Sequence, residues 1–188
     1  LSMKSGKQPN YDMAYKCLID EICKEFVRHR YILKGDALPE TEAERYEQIM
    51  NRRAEPAEYA KGLAFLSECL ARYHGKNTII LIDEYDVPLE NAYMQGFYDE
   101  MIGFIRSLFE SALKTNPYLE KGVITGCLRI SKESIFTGLN NLEVDTVLHT
   151  RHGESFGFTQ EEVEAMLEYY DLDSYILEVK KWYDGYLF

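Results

Sequence analysis

Apolar positions recur every three or four residues along most of this chain, and twice they give way to short unbroken apolar runs. The first helical pattern opens after Pro9-Asn10 and sets Tyr15, Leu18, Ile19, Ile22 and Phe26 on one face. A polar stretch from Gly35 to Pro39 ends it. Thr41 and Glu44 have the spacing of a capping box, which predicts a short charged helix through Met50. Pro56 stands where a first helical residue would, and the pattern it opens runs to Gly75 as a terminator. Thr78 to Ile82 reads as a buried strand, followed by a loop to about Tyr93. A second long helix carries Ile102, Ile105, Leu108, Phe109 and Ala112 on one face. Beyond the turn at Asn116-Pro117-Tyr118, the run from Gly122 to Leu128 reads as a second buried strand. Thr159 and Glu162 form another capping-box pair, and Gly185 reads as the stop of a last helix. The part from roughly 155 to 188 is thus expected to be helical.

Buried strands separated by long helices predict a helix-rich α/β protein with a mostly parallel sheet. The 188 residues suit one domain, or most of one. The opening residues Leu1 to Lys4 read as the tail of a strand, and both ends read as cut. The chain is therefore expected to be one partial domain of a larger protein.

Composition narrows the function classes. With 46% hydrophobic and 28% charged residues, the chain has the balance of a folded soluble protein. No apolar run approaches the ~18 residues of a membrane helix, and the start lacks the apolar stretch of a signal peptide. A cytoplasmic setting without membrane contact is expected. A net charge of −11 does not support a broad nucleic-acid face, which needs clustered Lys and Arg. The four cysteines, Cys17, Cys23, Cys69 and Cys127, have neither CxxC nor zinc-ligand spacing and read as reduced core residues.

The candidate chemistry sits where the first strand ends. Asp83, Glu84 and Asp86 arrive together after the apolar run, at the carboxyl edge where open α/β sheets bind ligands. A strand-end Asp can hold Mg²⁺, usually through water, and a neighbouring Glu can polarise an attacking water. The plainer reading is a strand emerging into solvent with acids at its boundary. Thr125 falls near the end of the second run, with Arg129 and Lys132 just beyond. A polar residue there can sense a γ-phosphate; otherwise Thr125 is a β-former and the cations solvate a loop. A phosphate loop needs GxxxxGK[ST] so that amides and a Lys cradle phosphates. Gly6-Lys7 and Gly75-Lys76 do not fit that pattern, and Lys76 precedes its strand, at the wrong edge of the sheet. Asp86 is expected to shape the turn before Pro88 rather than touch a metal.

The segments "LIDEYDVPLENAY", "GFYDEMIGFIRSLFESALKTNPYLEKGVITGCLRISKESIFTGLNNL", "FGFTQEEV" and "KKWYDGY" resemble the AAA-ATPase-like family of bacterial proteins. The resemblance implies a partial P-loop NTPase-like, three-layer α/β core, with Asp83 and Glu84 in its Walker B strand. Asp83 would then be the Mg²⁺-associated acid and Glu84 the catalytic acid acting on Mg·ATP, with Thr125 or Arg129 in the sensor region. It also implies a phosphate loop upstream and a nuclease-like domain of the PD-(D/E)XK superfamily downstream. With neither among these residues, the piece alone is expected to be inactive as an ATPase. The alternative is a degenerate module that regulates the nuclease-like domain through contacts, without hydrolysis.

Two aromatic groups stay open at this point. Trp182, Tyr183, Tyr186 and Phe188 read as a helix end packing on the core, or as a docking patch for a further domain. The Tyr-rich stretch from Glu90 to Glu100 reads as a packed turn or as a mobile loop over the site.

Overall fold

Asn10 opens the first helix, α1 (Tyr11–Arg28), by accepting the Met13 N–H on its side chain. The apolar face expected of α1 is the buried one, with Leu18, Ile19, Ile22 and Phe26 in the core. The computed structural model describes residues 1–35, 37–128, 135–136, 142–146 and 157–183. It divides into two units, Leu1–Leu142 and Glu143–Phe188.

In the first unit α1 is followed by α2 (Glu40–Met50), α3 (Pro56–Ala60), α4 (Gly62–His74) and the strand β1 (Thr78–Ile82). Then come α5 (Val87–Gln95), α6 (Tyr98–Phe109), a π-helical turn over Glu110–Lys114, and β2 (Leu119–Ile124). The Thr41–Glu44 capping box does not form, because α2 already begins at Glu40 behind Pro39 and has no side-chain cap. The pattern from Pro56 to Gly75 breaks at Lys61 into two helices, and Gly75 closes α4 in the left-handed conformation with φ of 65°. The expected loop to Tyr93 is instead the helix α5, with Pro in its first turn and Gly96 as its left-handed cap. The Tyr-rich stretch is accordingly the end of α5, a Gly turn and the start of α6.

β1 and β2 pair in parallel, with Leu81 opposite Val123 and Ile82 opposite Ile124. Leu1 to Met3 run along the other edge of the β1 end, where Ser2 bridges Asp83 in parallel. The Asp83 N–H donates to Leu1 O, and the Met3 N–H donates to Asp83 O, each at 2.9 Å. The expected strand tail is therefore present, and β1 is the middle of three parallel segments. Ile80, Ile82 and Ile124 face the helical core. On the opposite face Ile79 is 61% exposed and Leu81 59% exposed, joined by Val123. Within the first unit the apolar run is thus buried on one face only, and that unit's described residues do not supply the second helical layer expected for the fold. The arrangement is a helix-rich α/β one with a small parallel sheet.

Two details position the site. Gly6 ends the turn after Ser2, where a Cβ would stand 2.7 Å from Pro88 Cβ, so only glycine lets this segment pack on α5. The first Gly-Lys pair is therefore a packing feature, and Gly75-Lys76 is a helix stop at the far edge of the sheet. Cys23 and Cys69 are buried as expected, but Cys17 is only half-buried and Cys127 is exposed.

The second unit contains α7 (Gln160–Tyr169) and α8 (Ile176–Tyr183). Its capping box forms: the Thr159 N–H donates to Glu162 Oε2 at 2.8 Å, and the Glu162 N–H donates to Thr159 Oγ1 at 3.3 Å. Within this unit Trp182 and Tyr183 are exposed, and Gly185, Tyr186 and Phe188 lie outside the described residues.

Candidate active site at the strand ends

The parallel pairing sends the ends of Leu1–Met3, β1 and β2 to one edge, and their polar residues meet there. Asp83 is exposed at the first position past β1. Its Oδ1 accepts the Thr125 hydroxyl at 2.5 Å and the Glu84 N–H at 3.0 Å. Among the described residues Oδ2 has no such partner, leaving one oxygen of this carboxylate open.

Thr125 lies just past β2, which runs from Leu119 to Ile124 rather than over the expected Gly122 to Leu128. The pairing continues through it nonetheless. Its N–H donates to Ile82 O at 2.8 Å, and its carbonyl accepts the Tyr85 N–H at 3.2 Å. Thr125 is thereby fixed beside Asp83 by main-chain bonds to the strand that carries Asp83.

Glu84 turns the chain from β1 toward α5 with φ of 57°. A non-glycine residue there strains its backbone by roughly 1–2 kcal/mol. Arg52 and Asp171 share this φ but sit just after helix ends, where left-handed residues are common. Glu84 is the case at a strand end. Its Oε2 accepts the Ser2 hydroxyl at 3.1 Å, so the carboxylate is held toward the same edge as Asp83.

Asp86 does more than the turn-shaping expected of it. It is 2% exposed and stands at the N-cap position of α5, yet its side chain makes no cap bond. Instead Oδ2 accepts the N–H groups of Cys127 (3.0 Å) and Leu128 (2.6 Å) from the loop after β2. Tyr85, also buried, donates its hydroxyl to Leu128 O at 2.7 Å and sets its ring edge-on to Phe136. Sequence reasoning missed both roles. The available signal was Gly126, directly after Thr125, where a Cβ would lie 2.5 Å from Asp86 Oδ1 and 2.7 Å from Tyr85 Cε1.

The edge therefore brings together Asp83, Glu84 and Thr125, with Ser2 added. Arg129 and Lys132 lie outside the described residues. Two carboxylates and two hydroxyls form an oxygen-rich edge suited to a hard cation. No group of three or more His, Cys, Asp and Glu side chains poised for a metal occurs among the described residues. A hard cation bound at this edge would rest on one or two carboxylates, with water or ligand oxygens completing its shell.

A family model described as "Predicted AAA-ATPase" matches residues 20–136. The chain belongs to the AAA-ATPase-like family. The match covers β1, β2 and the whole Asp83–Leu128 edge. This AAA-ATPase-like chain is also similar to an "Uncharacterized protein in vnfD 5'region" of Azotobacter chroococcum mcd 1, at 31% identity over 115 residues. That alignment covers 60% of this chain and 22% of the relative, so the chain spans about a fifth of its relative's length. No solved structure matches the chain. No described helix is long and apolar enough to cross a membrane.

Proposed function

We propose that this AAA-ATPase-like chain carries the metal and water side of an ATPase site, in a Walker B strand. The observation that supports this most is the meeting of Asp83, Glu84 and Thr125 at the carboxyl edge of parallel strands. The residues fit Mg²⁺: Asp83 offers a free oxygen, and its other oxygen is oriented by two hydrogen bonds. When bound, Mg²⁺ neutralises phosphate charge. Asp83 would hold the hydrated ion through its open carboxylate oxygen. Glu84 takes a proton from the attacking water once its carboxylate leaves Ser2. Thr125, or Arg129, reports on the γ-phosphate. The protein that contains this chain would supply the phosphate loop, and a C-terminal nuclease-like domain is its proposed partner.

The test uses the full-length protein. Glu84→Gln is expected to bind Mg·ATP and lose turnover by about 100-fold or more, while Asp83→Ala raises the Mg²⁺ concentration needed. Residues 1–188 alone are expected to bind nucleotide weakly, and sub-micromolar Mg·ATP affinity in a calorimetric titration would overturn that. The uncovered face of Ile79, Leu81 and Val123 favours a second reading, a non-hydrolysing contact module. It gains ground if the wild type never turns over ATP and Asp83→Ala alters only partner binding.

A further inference from the structure

Resting on the ATPase reading above, the geometry points to Asp86 as a positioning residue that sets the Thr125–Leu128 loop against Asp83 and Glu84. A buried carboxylate is costly unless hydrogen bonds compensate it. Asp at a helix N-cap ordinarily offsets this cost by bonding the N–H groups of the first turn. Asp86 forgoes that bond and reaches across to the other strand's loop, where one oxygen holds two successive N–H groups. Its second oxygen is buried without a hydrogen-bond partner, turned toward the side of Gly126 where a side chain would stand. The arrangement therefore uses a charged group, a forfeited cap and an obligatory glycine to fix one short loop.

What the loop fixes is the Thr125 hydroxyl. Thr125 is held from its N-terminal side by Ile82 O. On its C-terminal side its own carbonyl accepts the Tyr85 N–H, and Cys127 and Leu128, which continue the loop, bond Asp86 and Tyr85 through their main-chain groups. Asp86 follows Glu84 by two residues, so a single turn sets the water-side acid and clamps the loop bearing its neighbour. Asp86 touches neither nucleotide nor water in this role; it acts through Thr125.

The experiment compares Asp86→Ala, Asp86→Asn and Gly126→Ala in the full-length protein. ATP turnover is read beside amide hydrogen exchange of a peptide spanning 125–128. Asparagine keeps an oxygen that can accept both N–H groups. Asp86→Ala and Gly126→Ala are expected to release the Cys127 and Leu128 amides and lower kcat by tenfold to about 100-fold, with little change in KM. Asp86→Asn should keep protection and most of kcat. Unchanged exchange in both Asp86→Ala and Gly126→Ala overturns the proposal, as does an Asp86→Asn protein that keeps protection yet loses kcat as fully as the alanine. If the wild type has no turnover, the ATPase reading fails, and the exchange arm alone still decides whether Asp86 clamps the loop.

Discussion

Thr125 Oγ1 and Asp83 Oδ1 lie 2.5 Å apart, a hydroxyl-to-carboxylate bond that joins the ends of the two parallel strands. Charge-assisted bonds of this kind are short and about twice as strong as neutral ones. Thr125→Ser retains the hydroxyl and is expected to keep turnover near the wild-type level. Thr125→Val removes it at nearly constant volume. Because the pair is exposed, that loss should cost only about 1 kcal/mol of stability while reducing ATP turnover clearly. Equal turnover in the Val and Ser proteins at saturating Mg·ATP would show that the bond is incidental.

Gly75 and Gly126 are glycines for different reasons, and thermal unfolding should separate them. Gly126→Ala inserts a methyl group against Asp86 and Tyr85 and is expected to destabilise by about 1–3 kcal/mol through overpacking. Gly75→Ala meets nothing within 4 Å but must hold φ of 65°, so its cost is conformational, roughly 1–2 kcal/mol. Gly75→Asn should recover much of that loss, since Asn tolerates the left-handed region. Gly126→Asn should be worse than Gly126→Ala.

The two faces of β1 give opposite expectations. Ile82, 1% exposed, should cost about 2–5 kcal/mol when truncated to Ala. Leu81, the preceding residue, is largely exposed and should shift stability by no more than about 0.5 kcal/mol in residues 1–188. Chemical denaturation of both variants, repeated in the full-length protein, shows whether the outer face is covered there. A Leu81→Ala penalty that appears only in the longer protein identifies a covering layer.

A pH dependence follows from the aromatic corner between α1 and α4. Tyr31 OH contacts His29 Nδ1 at 3.2 Å and His74 Nε2 at 2.9 Å. Burial, with smaller help from Arg28 and His74 and against Glu25, lowers the His29 pKa from its ordinary 6.5. The folded protein thus prefers the neutral ring, and this contribution is complete above pH 6.5 and lost as pH falls toward the depressed value. The stability difference between wild type and His29→Gln should therefore narrow between about pH 7.5 and 5.5. A constant difference across that range in melting experiments contradicts the assignment.

Much of this was legible in local sequence. The α1 face, the Gly75 stop, the second capping box and the strand carrying Asp83 are short-range features, each set by periodicity or by residues within a few positions. Helix α5 was not, because Asp86-Val87-Pro88 reads equally as a turn and its nine residues give little periodicity. Burial of β1 was overread, since an apolar run does not reveal which face a neighbour covers. Within the site, Asp83, Glu84 and Thr125 were visible because strand ends converge in parallel sheets. Ser2 and the loop-holding role of Asp86 were not, for their partners lie 82 and 41 or 42 residues away and only the tertiary pairing reveals them.

Position 84 also carries a consequence for engineering. Its left-handed backbone suits glycine or asparagine better than glutamate, so a search for thermostable variants would favour replacing the very side chain proposed to act on water. Stability and activity are then expected to trade against each other at a single residue. A variant such as Glu84→Gly would melt higher and turn over nothing.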